Sequence, residues 1–259
     1  KSAIERITML EKTVTAGVIL IGDELLSGRT QDTNLRAIAE FLAPLGVQVG
    51  EARIISDNAD IIRDTVRAFS GRFDYVFTTG GIGPTHDDIT AENVAKAFGV
   101  PILLNEDAKK LLEDNMGVGN VTKARLRMAM IPKGASLIKN PVSAAPGFQL
   151  QNVFVLAGIP VVMQSMLLDV EDRISGGAKI LSDAIHVFEG ESNFASLLGQ
   201  VEEQFDNLTI GSYPFYKGGS YGATFVLRSA VSDELASAMQ ILKDKISENG
   251  VEYFSGEAP

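Results

Sequence analysis

Between Val14 and Thr79, three short apolar runs alternate with two stretches of helical periodicity, an order that a parallel sheet accommodates and few other folds do. Val14 to Ile21 is almost continuously apolar and ends at Gly22, the pattern of a strand covered on both faces. Asp32 and Thr33 can cap the helix that follows; Leu35, Ile38, Ala39, Leu42 and Leu45 recur at helical spacing, and Gly46 stops it. A second strand (Val47 to Ile55), a helix beginning near Asn58 and a third strand (Phe73 to Thr79) repeat the unit. Short connections between such elements imply right-handed βαβ crossovers, and ligands of such sheets bind beyond the carboxyl ends of the strands. The loops after the first and third strands are therefore where chemistry is expected.

Three further helices are expected at Thr90 to Phe98, Asn105 to Met116 and Val121 to Met130, then a strand at Val153 to Leu156 and a helix from Pro160 to about Val170. Gly176-Gly177 reads as a boundary. Beyond it the order is strand (Ile180 to Phe188), helix (Asn193 to Phe205), two strands (Leu208 to Tyr213, Ala223 to Ser229), helix (Ser232 to Asn249) and strand (Val251 to Phe254). The expected fold class is α/β: a three-layer α/β/α domain with a mostly parallel sheet over residues 14–172, and a smaller α+β domain of βαββαβ order over residues 178–259. Residues 1–8 are set aside, because Met9 stands just before the first strand pattern.

Composition removes several kinds of chemistry. The 259 residues include no cysteine, so a disulfide framework, a thiolate zinc site and a cysteine nucleophile are excluded, which fits a reducing, cytoplasmic setting. With only His86 and His186, a multi-histidine metal cage is impossible, and metal chemistry here means carboxylates and hard cations such as magnesium. His186 lies within an apolar strand pattern and reads as structural; His86 reads as a solvent-facing loop residue. Residues 1–170 carry 17 Lys+Arg against 19 Asp+Glu, and residues 171–259 carry 6 against 14, giving the net −10. The acidic C-terminal third argues against nucleic-acid binding, and no run approaches the roughly 18 apolar residues of a membrane span.

The most informative stretch is TTGGIGPTHDDIT, Thr78 to Thr90. Gly80, Gly81 and Gly83 let backbone amides approach an anion, and a helix start at Thr90 also favours negative charge. Asp87 and Asp88 beside such a site would repel the anion unless they held a cation or acted on a proton, as at a magnesium-assisted phosphate. The plainer reading is a glycine turn followed by solvated carboxylates. GDELLSG, Gly22 to Gly28, brings Asp23 and Glu24 to the end of the first strand; it matches neither the phosphate-loop nor the dinucleotide-binding spacing. Asp57, past the second strand, reads as a ligand contact or as a turn residue. NPVSAAPGF, Asn140 to Phe148, is a rigid loop that carries Ser143.

Together, GDELLSG, the DTN that follows it, the Asp57 turn, TTGGIGPTHDDIT and NPVSAAPGF resemble the molybdopterin-binding (MoaB/Mog-like) domain, in its competence/damage-inducible CinA-like branch. The resemblance covers about Val14 to Val170, and the later part, including Gly190 to Ser192, is similar to the small domain of CinA-like proteins. It implies a phosphate loop at Gly80, Gly81, Gly83 and Pro84 that takes a pterin phosphate or nucleotide, with catalytic aspartates at Asp57 and Asp88. Gly22, Asp23, Ser27, Thr79, Thr85 and Ser143 complete the candidate ligand contacts; Asp87 is a further catalytic candidate and, with Asp88, the candidate magnesium, manganese or cobalt site. Ile82 stands where Mog enzymes usually have threonine.

The function implied is a divalent-metal-dependent pyrophosphatase acting on ADP-ribose-like substrates. The alternatives are pterin-phosphate binding or adenylyl transfer in molybdenum cofactor synthesis, and a ligand sensor without catalysis. The nicotinamide-mononucleotide deamidase activity of longer CinA proteins is not expected. Relatives of this domain commonly assemble, so a homo-oligomer is expected.

Overall fold

Strands send alternate side chains to opposite faces, and in the first half of this chain both faces are apolar. In β1 (Val14–Ile21), Ala16, Val18 and Leu20 point one way and Ile19 and Ile21 the other, all buried, so helices must cover both sides. The computed structural model of the chain describes residues 13–217 and 219–256; the segment 1–8 set aside above lies outside them. It divides into two units, separated between Gly177 and Ala178.

After β1 come a single turn, α1 (Asp23–Leu26), then α2 (Asn34–Leu42), β2 (Val47–Ile55), α3 (Ala59–Ser70), β3 (Tyr75–Thr79) and α4 (Thr90–Ala97). These are followed by β4 (Ile102–Leu104), α5 (Glu106–Met116), α6 (Lys123–Leu126), β5 (Met130–Pro132), β6 (Ser136–Ile138), β7 (Gly147–Leu150), β8 (Val153–Leu156) and α7 (Pro160–Leu167). The main sheet runs β2-β1-β3-β8-β7-β6, with β2, β1, β3 and β8 parallel and β7 and β6 antiparallel at one edge. Ile38 and Leu42 of α2 and Met163 and Met166 of α7 pack on Val18, Leu20, Phe77 and Phe154. On the other face Ile62, Val66 and Phe69 of α3, Val94 of α4 and Leu112 of α5 meet Ile19, Val76 and Val155. Phe77 and Phe154, paired across β3 and β8, stack with ring centres 5.0 Å apart. This is the three-layer α/β/α arrangement.

One predicted helix is corrected. Val121 to Met130 holds only the turn of α6, with Arg125 N–H donating to the Thr122 hydroxyl at 3.3 Å, a 3-10 turn at Arg127–Ala129, and then β5. Ala129 and Ile131, two residues apart, are both buried, and β5 pairs antiparallel with β4 from Met130↔Leu104 to Pro132↔Ile102. Pairing with β4 thus prevails over the helical reading of the same apolar residues.

The second unit contains β9 (Leu181–Val187), α8 (Ala195–Glu202), β10 (Leu208–Lys217), β11 (Ser220–Ser229), α9 (Ser232–Glu248) and β12 (Tyr253–Ser255). Its sheet order is β10-β11-β9-β12, antiparallel throughout. Leu198, Val201, Leu235, Met239, Leu242 and Ile246 of the helices pack with Ile185, Val187, Phe225 and Leu227 of the strands. His186 is buried among Phe188, Phe215 and Phe254, with Nδ1 3.1 Å from the Gly256 carbonyl. Among the described residues no helix is long and apolar enough to cross a membrane.

Candidate functional site

The parallel register brings three loops together. Leu20 pairs with Thr79 and Thr79 with Leu156, so β1, β3 and β8 end side by side and their following segments leave from one row. These segments, joined by the loop around Ser143 and the start of α7, enclose a cavity of about 540 Å³ within the first unit, in the size range of small-molecule sites.

Glycine is required where the loops touch. Gly80 has φ +99°, and a Cβ there would lie 2.1 Å from the Ile21 carbonyl oxygen. Gly81 has φ +67°, and its Cβ would lie 2.2 Å from Thr90 Oγ1. Side chains at either position would both strain the backbone and push the loop off β1 and α4. Thr90 is the first residue of α4 and does not cap it: its N–H donates to the Gly81 carbonyl at 3.0 Å, and its buried hydroxyl oxygen has no hydrogen-bond partner.

Of the residues singled out from the sequence, Gly80, Gly81, Gly83 and Pro84 line the cavity beside Asp87 and Asp88. Gly22, Asp57 and Ser143 line it too. Asp88 Oδ2 accepts from the Thr85 N–H at 2.8 Å and from the Thr85 hydroxyl at 2.5 Å, which leaves Oδ1 without a bond from Thr85. The nearby Thr85 side chain, followed by a backbone N–H of its own residue, holds the Asp87 carboxyl below the ordinary aspartate range; His86 and Arg127 add to this and desolvation opposes it. Burial holds the Asp57 carboxyl above that range, and the negative charges of Asp23, Glu24 and Asp87 reinforce it. The hydrogen bond from Asp23 N–H to Asp57 Oδ2, at 2.9 Å, acts in the opposite sense.

Four candidates stand apart. Asp23 and Ser27 are exposed on α1 and just past it, and the Ser27 hydroxyl donates back to the Glu24 carbonyl at 3.2 Å; that turn places Glu24, not Asp23, on the cavity wall. Thr79 is buried behind the loop, off the main cavity but lining a small pocket beside it, and Thr85 is exposed at the loop's tip, where it organises Asp88. His86 is solvent-facing, its side chain 98% exposed. Ser143 is held by Asn140, whose Nδ2 donates to its hydroxyl at 2.7 Å and whose Oδ1 accepts its N–H at 3.1 Å.

Sequence reasoning missed Asn140 and Arg127. Arg127 donates from Nη2 to the Asp88 carbonyl at 3.2 Å and brings a positive charge beside the glycine loop. It was hidden in the stretch expected to be helix. Asn140 opens the NPVSAAPGF loop, where an Asn-Pro pair reads simply as a turn.

The donor set suits a hard cation only in part. Among the described residues no three of His, Asp and Glu converge to hold a metal ion by themselves. Two adjacent carboxylates beside a glycine loop nevertheless fit magnesium, which uses one or two carboxylates together with ligand phosphates and water. Asp88, with Oδ1 clear of Thr85, and Asp87 would hold such an ion.

Comparison with known proteins places the chain in a family. Residues 17–175 match the family described as "Probable molybdopterin binding domain", and residues 179–255 match "FAD synthase, middle domain". Protein Ta0487 of Thermoplasma acidophilum is 35% identical over 205 residues, 77% of this chain and 80% of that protein. A "Probable FAD synthase" of Caenorhabditis elegans is 29% identical over 284 residues, spanning 98% of this chain but 54% of that protein. The crystal structure of the protein CinA, of unknown function, from Thermoplasma acidophilum superposes with a TM-score of 0.58 at 37% identity, covering 61% of this chain and 98% of that one. The chain is therefore a member of the molybdopterin-binding domain family, in its CinA-like branch, with a second unit of the FAD synthase middle-domain type.

Proposed function

We propose that the protein hydrolyses the pyrophosphate linkage of a nucleotide such as ADP-ribose or FAD in the presence of a divalent cation. The observation that carries this reading is that Asp57, Asp87 and Asp88 line the same cavity as the Gly80 to Gly83 loop. The loop's amides take the phosphate oxygens, and the cation supplies further neutralisation of phosphate charge. Asp57, with its carboxyl raised by burial, takes a proton from the attacking water on Oδ1, since Oδ2 is engaged by Asp23 N–H. The water oxygen bonds to one phosphorus, the bridging P–O bond breaks, and the bridging oxygen leaves on the other phosphate. Arg127 and the helix start at Thr90 offset the charge that accumulates there.

Product analysis with ADP-ribose, FAD and NAD under magnesium, manganese or cobalt tests the reading. At least one substrate is expected to be cleaved, and Asp88→Asn is expected to lower turnover about a hundredfold or more, the scale of removing a main electrostatic stabiliser, while ligand affinity falls less. If none is cleaved while a pterin phosphate binds tightly, pterin-phosphate binding or adenylyl transfer replaces this reading. If neither occurs, a sensor role remains.

A further inference from the structure

We propose that Asn34, the asparagine of the DTN motif, selects the ligand by accepting a hydrogen bond from the exocyclic amine of its heterocycle, the amine alone lodging in a small chamber beside the main cavity. The proposal rests on reading the main cavity as a phosphate site. The chamber measures about 50 Å³ and shares Ile21, Glu24, Thr30, Gly158 and Pro160 with the cavity, so the two adjoin.

Asn34 lies in the chamber's wall and is 4% exposed. Its Nδ2 donates to the Gly158 carbonyl at 2.7 Å. A carbonyl only accepts, so this bond fixes which end of the amide is oxygen. Oδ1 is then left buried with no hydrogen-bond partner, a state that is costly unless a ligand supplies a donor. The backbone explains nothing further of this side chain, because Asp32 caps α2: its carboxylate accepts from the N–H groups of Asn34 (3.2 Å) and Leu35 (3.0 Å).

The remaining wall selects the class of group. Glu24 adds a second acceptor, and no lysine or arginine lines the chamber. A phosphate would be repelled there, whereas an amine with two N–H donors meets two acceptors. Adenine nucleotides and pterin phosphates both carry such an amine.

Calorimetry on the full chain separates the sources. ADP is compared with inosine diphosphate, and a pterin phosphate with its lumazine counterpart, each pair differing by amine against oxygen at one ring position. One amino ligand is expected to bind about ten- to hundredfold more tightly than its partner, the scale of leaving a buried polar group unpaired; that pair names the heterocycle. Asn34→Ala is expected to bring the pair within about twofold while inorganic pyrophosphate, which engages only the glycine loop, binds as before. If alanine lowers the folded fraction, Asn34→Ser, a residue suited to a first helical turn, replaces it. Equal affinities within both pairs, absence of binding included, or discrimination that survives in the variant, overturn the proposal; water alone then fills the chamber. Discrimination without cleavage overturns only the hydrolytic reading.

Discussion

Asp57 couples the site to pH. Its carboxyl is raised in the folded chain, so the fold binds that proton more tightly than the unfolded chain does. The resulting stabilisation is complete below the unfolded value of about 3.9 and disappears as pH rises through the folded one. Asp57→Asn keeps an oxygen for Asp23 N–H and removes the titration. Its stability relative to the natural chain should therefore rise between about pH 3 and pH 7, and urea midpoints at the two values should diverge accordingly. A constant difference would mean that burial of Asp57 does not disfavour its charge. Gly80→Ala has the opposite character: with φ +99° and the Ile21 carbonyl in the way, it should cost about 1–3 kcal/mol and reduce phosphate binding, as read by thermal unfolding and calorimetry. The glycines and aspartates of this site were legible because they sit in the loops that a parallel sheet turns toward ligands. Asn34 was legible only as part of a helix start, since an asparagine there serves capping and recognition equally well until the partner of each amide atom is known.

At the scale of elements, most strands legible in the sequence are five residues or longer, and β8 shows itself by four consecutive buried apolar residues. β6 and β7, of three and four residues, carry too few side chains to display a period, and the Asn140 turn between them reads as a loop. β4 and β5 escaped for the same reason, with Pro101 and Pro132 at their ends. Some ties between elements have no sequence signature at all. Asn152, just before β8, donates to the Ser70 and Phe73 carbonyls at 3.0 Å each and accepts from the Ser70 hydroxyl at 2.7 Å, which fixes the end of α3 against the sheet. Asn152→Ala should cost about 1–3 kcal/mol, because it leaves carbonyls at the end of α3 without their donor. A denaturation midpoint unchanged from that of the natural chain would show that water replaces these bonds.

For the whole molecule, the division into two units has a practical consequence. The cavity is lined by residues between Ile21 and Val162, all in the first unit, so a fragment ending at Gly177 should bind inorganic pyrophosphate as tightly as the full chain. Weaker binding by a folded fragment would assign the second unit a share in the site. We propose a homo-oligomer for the full chain; light scattering at tens of micromolar should give a multiple of the chain mass, and a single-chain mass would count against it. The pairing of β3 with β8 bears on how the molecule is made. Val76 lies beside Val153, yet the whole run from Gly80 to Asn152 separates the two strands. Closing the sheet's centre thus carries the entropy of a long loop, the kind of non-local contact that slows folding. The glycine loop opens that run, so competence to bind a phosphate should arrive with this last closure and not with early helix formation. In refolding followed by tyrosine fluorescence, the chain having no tryptophan, recovery of pyrophosphate binding should track the slowest phase.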